Sequence, residues 1–194
     1  MYMILDELIK EYQISDFSIS TRDKEVFDSY FKLIEIKKGT YLIREGEIEY
    51  FSYFIASGIL KCWVYTVEME QKVFWFSMAK TFSMSNVSFS LQQVSEFYVE
   101  AVTDCILYKT SYNQVVELYK ELPHIASIMN IMTAKLMNII LMRQLNLIKY
   151  TPEQHYLWLQ QEYKAQLNYI PLQDIASYLG ITPQALSRIR KRIT

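Results

Sequence analysis

The placement of glycine and proline constrains this chain most. Its 4 prolines, Pro123, Pro152, Pro171 and Pro183, all lie beyond residue 122, and of its 4 glycines three, Gly39, Gly46 and Gly58, lie ahead of residue 59. Proline is best tolerated where a helix begins and no N–H is needed, and each of these prolines precedes a segment with helical spacing of apolar residues. The early glycines instead separate short runs rich in Tyr, Ile, Val, Phe and Trp, as turns between strands require. Those runs are YLI at 41–43, YFSYFIAS at 50–57, ILKCWVYTV at 59–67, KVFWFSM at 72–78, FYVEAV at 97–102 and CILYKT at 105–110. The pattern predicts an α+β chain, with a compact β unit first and helices after it.

From Pro123 to Lys149 the apolar residues Ile125, Ile128, Met132, Leu136, Ile139, Met142 and Leu145 recur at intervals of three or four. So apolar a helix cannot leave one side in water and needs a partner along its length. Two partners satisfy that need: the chain's own β unit, or the same helix of a second copy. The length favours the second, which predicts a homodimer through Ile128, Met132, Leu136, Ile139 and Met142.

The stretch DIASYLGITPQALSRIRK at 174–191 specifies two short helices and a turn. Ile175, Ala176 and Leu179 form one apolar face, Gly180 interrupts it, and Leu186, Ile189 and Ile193 resume it. Gly180 can take positive φ, Thr182 can cap the second helix, and Pro183 suits its first position. Gln184, Ser187, Arg188 and Lys191 then share the outer face, where long donors suit base edges and phosphates. The last residues hold Arg188, Arg190, Lys191 and Arg192 without an acid, although the chain's net charge is −1. A helix-turn-helix contacting double-stranded DNA through Thr182, Gln184, Ser187, Arg188, Lys191 and Arg192 follows, with Arg188 on a base edge and Lys191 and Arg192 on phosphates.

Composition narrows the classes. At 194 residues and 51% hydrophobic, the chain can bury a sizeable core. The start MYMILDELIKEY has acids where a secretory signal would be basic, and no run of about 18 uninterrupted apolar residues appears, so a cytoplasmic protein without a membrane partner is expected. Cys62 and Cys105 fall in alternating runs and read as small buried thiols. The only histidines, His124 and His155, lie outside the β unit, which argues against a metal enzyme of the cupin type and against a haem or metal sensor. No enzyme, metal or cofactor is expected. Regulatory helices that dock on a protein instead of DNA remain the competing reading.

The order of these parts resembles the Crp/Fnr superfamily of bacterial transcription regulators, through IKKGTYLIREGE at 36–47, YFIASGILKCW at 53–63 and the 174–191 stretch. The resemblance implies a double-stranded β-roll sensor of the cyclic-nucleotide-binding type over 1–122, a dimerisation helix over 123–149 and a helix-turn-helix domain over 150–194. Its implied partners are promoter DNA, a second copy and RNA polymerase. Cyclic-nucleotide binders of the family carry a Gly-Glu pair and, after a short helix, Arg-Ser or Arg-Thr. Here Lys80, Thr81, Phe82 and Ser83 align near the first pair and Ser95–Glu96 near the second, and no arginine lies between Arg44 and Arg143. With Glu96 and Glu100 expected to repel a phosphate, cyclic AMP should not bind tightly. Phe74, Phe76, Phe82, Met84, Phe89 and Ser95 are the candidate lining for a small apolar ligand instead. Family members continue past the recognition helix into a β-hairpin wing; with Thr194 following directly here, an incomplete wing is expected.

Overall fold

The computed structural model describes residues 4–14 and 18–193. Helices α1 (Ile4–Glu11) and α2 (Thr21–Ser29) come first, and Ser20 and Asp23 close a capping box at the start of α2. The strands β1 (Lys32–Ile36), β2 (Tyr41–Ile43), β3 (Phe51–Ser57), β4 (Leu60–Tyr65), β5 (Gln71–Ser77) and β6 (Phe82–Ser83) follow. After the short helix α3 (Asn86–Leu91) come β7 (Tyr98–Ala101) and β8 (Cys105–Ser111). They form two antiparallel four-stranded sheets, ordered β1-β8-β3-β6 and β2-β7-β4-β5, stacked as a roll.

Alternation along the strands distributes the side chains over three cores. Tyr53, Ile55, Leu60, Cys62, Val99 and Leu107 point between the sheets. The opposite face of the first sheet, with Phe54, packs on α1, α2 and the later helices α4 (Tyr112–Glu121) and α5 (Pro123–Lys149) through Leu8, Phe27, Leu118 and Ile128. The opposite face of the second sheet, with Trp63 and Val73, packs on α6 (Pro152–Leu167), α7 (Leu172–Tyr178) and α8 (Pro183–Ile193) through Tyr156, Ile175 and Leu186. Both cysteines are free and buried, as their strand positions predict. Gly58 turns β3 into β4 at φ +103°, where an added Cβ would stand 2.4 Å from Cys105 Sγ. Only glycine fits there.

Helix α5 divides into two halves. Ile125, Ile128 and Met132 are buried in the chain's own core, whereas Met137, Ile139, Leu141, Met142, Leu145, Leu147 and Ile148 are exposed. The expected dimer contacts Ile128 and Met132 are therefore corrected: α1, α2 and α4 already cover them, and Leu136 is half-buried. With 27 residues and mean hydropathy 1.6 the helix is long and apolar enough to cross a membrane. Against that use, Lys135 Nζ donates to the carbonyl of Tyr12, and the Arg143 guanidinium lies 4.4 Å over the Tyr178 ring. The joint to α6 is short. Tyr150 and Thr151 are extended, and Thr151 forms a capping box with Gln154 that starts α6 at once.

Candidate nucleic-acid interface

The turn between α7 and α8 is set by local chemistry. The N–H of Ile181 donates to Ala176 O at 3.0 Å and that of Gly180 to Ser177 O at 3.0 Å, the paired bonds of a Schellman motif, with Gly180 at φ +70°. Thr182 Oγ1 accepts the N–H of Ala185 at 3.2 Å, capping α8, and Pro183 occupies its first position. Ala176 and Leu186 are fully buried, so the two helices cross closely. That crossing turns Gln184, Arg188 and Lys191 outward.

Pro183, Gln184, Ser187, Arg188 and Lys191 line one open concavity. Four of the residues expected to share a face are thus brought together, with Thr182 at its end as the cap. Arg192, also expected on a phosphate, is exposed and has its guanidinium paired with the Glu153 carboxylate of α6. It ties the end of α8 to the helix behind it.

A second group of residues positions this unit. Lys61, on the outward face of β4, donates from Nζ to Asp174 Oδ2 of α7 at 3.1 Å, and Glu100 Oε2 of β7 lies 3.6 Å from the same nitrogen. Trp63 Nε1 donates to Glu100 Oε2 at 2.9 Å. The Lys61 side chain is 9% exposed and that of Asp174 7%, so the charges face each other out of water. Beside them the backbone N–H of Val73 on β5 donates to Ser177 Oγ of α7 at 2.8 Å. Sequence reasoning missed this cluster. Its one local signal is a lysine in the otherwise apolar run ILKCWV.

These positions also correct the expected role of Glu100. Val99 and Ala101 point between the sheets, so Glu100 points away from the roll interior and serves Lys61 and Trp63 rather than repelling a phosphate. Ser95 is buried, its Oγ 2.7 Å from Ser85 Oγ and 2.8 Å from Phe97 O, and Glu96 is exposed. Nearby Glu49 is buried, accepts the N–H of Phe51 through Oε1, and is pushed up to about 7 by burial.

The expected apolar pocket divides as well. Phe82, Met84 and Phe89 line a cavity together with Ser52, Thr110 and Met129. Phe74 instead packs on Phe97 at 5.1 Å and Phe76 on Tyr178 at 5.3 Å, because the register of β5 against β4 slips between Val73 and Trp75, and this bulge puts two residues of like parity on opposite faces. Ser95 is held in its serine pair and stands outside that lining. Among the described residues no group of three or more His, Cys, Asp or Glu is placed to hold a metal.

Residues 33–121 match the family model of the cyclic nucleotide-binding domain. No curated protein sequence matches the chain. Among solved structures, the chain is similar to the c-di-GMP responsive global regulator CLP of Xanthomonas campestris at 14% identity and TM-score 0.70, covering 90% of this chain and 91% of that one. It is similar to FixK2 of Bradyrhizobium japonicum at 15% identity and TM-score 0.71, covering 84% of each. Similarity to the catabolite activator protein of Thermus thermophilus is 15% identity and TM-score 0.59, over 96% of this chain and 86% of that one. Similarity over nearly the whole length, with residues 33–121 matching the cyclic nucleotide-binding domain, shows that the chain has the fold of the Crp/Fnr regulators.

Proposed function

We propose that the protein is a cytoplasmic, homodimeric transcription regulator of the Crp/Fnr type that binds promoter DNA through α8 and is not an enzyme. The observation that carries this reading is the outward face shared by Gln184, Ser187, Arg188 and Lys191 on a helix held by a Schellman turn, with no acid on that helix. A guanidinium there can grip guanine with two parallel bonds, and a lysine toward the helix end suits phosphate. One such helix covers few base pairs, so two copies are needed for useful affinity. The exposed stripe Met137, Leu141, Leu145 and Ile148, at spacings of four, four and three, supplies the surface on which a second α5 would pack. RNA polymerase is the partner this class of regulator implies.

The sensor reading is negative for cyclic AMP. Where an arginine would neutralise a cyclic phosphate the chain has Ser95, whose Oγ is paired with Ser85 Oγ and Phe97 O, and the buried Glu49 nearby, whose carboxyl takes up the N–H of Phe51, adds no positive charge. The deciding experiment is a pair of titrations, on a selected operator and a scrambled duplex, over a range of salt. Arg188→Ala should cost about 1–3 kcal/mol per half-site on the operator and little on the scramble, while Lys191→Ala should weaken both and lower the salt slope by about one. If neither substitution changes binding, α8 is a solvated face and the proposal fails.

A further inference from the structure

The cavity under the first sheet has a volume of about 70 Å³. Protein interiors hold few voids larger than a water, and one water needs only about 10–15 Å³ on the same kind of measure. Ser52 and Thr110 reach it from the face of β3 and β8 that carries Phe54, opposite the roll interior occupied by Tyr53 and Ile55. It is thus separate from the space between the sheets. Thr110 is 1% exposed, and its Oγ1 has no hydrogen-bond partner among the described residues. A buried hydroxyl left unpaired is destabilising, so its presence at a cavity wall marks where a polar atom of an occupant belongs.

The rest of the wall decides what kind of occupant. Phe82, Met84, Phe89 and Met129 present rings and thioethers. Ordered waters each require two to four polar partners, which the three hydroxyl-bearing residues of the wall, Ser52, Thr110 and Tyr119, do not provide for a space of this size. A charged group would find no counter-charge. We propose that this cavity is a ligand site for a small neutral molecule, an apolar body bearing one hydroxyl or carbonyl that pairs with Thr110 Oγ. An apolar cavity of about 150 Å³ takes benzene, so this one takes about three to five non-hydrogen atoms, with the flexible methionines adjusting to the larger. The wall draws on β3, β8, α3 and, through Met129, on α5, so an occupant bears directly on the helix that leads to α6–α8. Its role as an effector site rests on the proposed DNA-binding function; its existence as a site does not.

The test uses the full chain with its methionine methyls labelled, titrated with isobutanol and, separately, with xenon. Saturable shifts of Met84 and Met129, with exposed Met137 unmoved, are expected for both probes. Thr110→Val keeps the shape and removes the hydroxyl, so isobutanol affinity should fall about five- to tenfold and xenon affinity should hold. Ser52→Leu should abolish both responses; should that variant fail to fold by circular dichroism, the Thr110→Val comparison decides alone. Absence of saturable shifts at Met84 and Met129, or equal isobutanol affinity in Thr110→Val, overturns the site. Operator titrations with and without saturating isobutanol then test the effector role. Unchanged operator affinity overturns that role, whereas absence of DNA binding under both conditions counts against the proposed function and leaves the methyl shifts standing.

Discussion

Replacing Lys61 by methionine probes how the helix-turn-helix is fastened to the roll. Methionine fills most of the lysine stem's space, so the change removes a charge with little loss of packing. It strands Asp174, 7% exposed, and Glu100, 18% exposed, as two carboxylates facing each other without a cation. Removing one partner of a buried ion pair typically costs about 3–5 kcal/mol, a large share of the roughly 5–15 kcal/mol that holds a domain together. With a urea slope of about 2 kcal/mol/M, the unfolding midpoint should fall by about 1.5–2.5 M. Tryptophan fluorescence reports the transition from the spot itself, because Trp63 donates to Glu100. Lys61→Met/Asp174→Leu should recover most of the loss, since an apolar replacement of a buried pair is often neutral and the remaining Glu100 keeps its Trp63 donor. A single variant within about 1 kcal/mol of the parent, or a double variant no better than the single, would refute the reasoning.

Two further outcomes follow from groups described above. Leu141→Glu, on the exposed stripe of α5, should convert a dimer to a monomer in sedimentation at micromolar concentration; a parent chain already monomeric there removes the case for this interface. Burial pushes Glu49 up to about 7, while an unfolded glutamate ionises near its ordinary value of 4.5, so the folded state alone keeps the proton between those pH values. Its contribution is present below about 4.5 and is lost as pH rises through 7, by an amount on the order of 3 kcal/mol. Glu49→Gln should flatten that part of the pH dependence in urea unfolding, leaving a smaller slope of the same sign from Asp28, which burial raises to about 6; identical profiles would sink the assignment.

What was legible in the sequence is what local chemistry decides. The runs at 41–43, 50–57, 59–67, 72–78, 97–102 and 105–110 became β2, β3, β4, β5, β7 and β8, because alternating apolar residues bounded by glycine turns leave a chain few other options. KLIEI at 32–36 carried a weaker signal, since β1 is mostly exposed, and the two residues of β6 are too few for any period. The α7–α8 pair was legible to the residue, its cap and turn lying within a few positions of each other. The Lys61–Asp174 pair was not, as 113 positions separate its members and nothing local links them. For α5, periodicity announced an apolar helix but not whose side chains cover it; the fold answers for the first half with α1, α2 and α4. Phe74 and Phe76 were grouped with Phe82 by residue type, and a bulge in β5, which no local pattern announces, sends them to opposite faces of the second sheet.

The two-residue joint at Tyr150 and Thr151 has a consequence for the operator. A connection this short, gripped on one side by the end of α5 and on the other by a capping box, has almost no slack, and Lys61 and Arg143 hold the far side of the helix pair as well. In the proposed dimer the separation and relative rotation of the two α8 helices are then fixed by the protein before DNA is met. Half-sites must match that spacing. One extra base pair between them moves the second half-site by about 3.4 Å along the duplex and turns it by roughly a tenth of a helical turn. A tether with slack would follow; a clamped one has to strain the protein or twist the DNA.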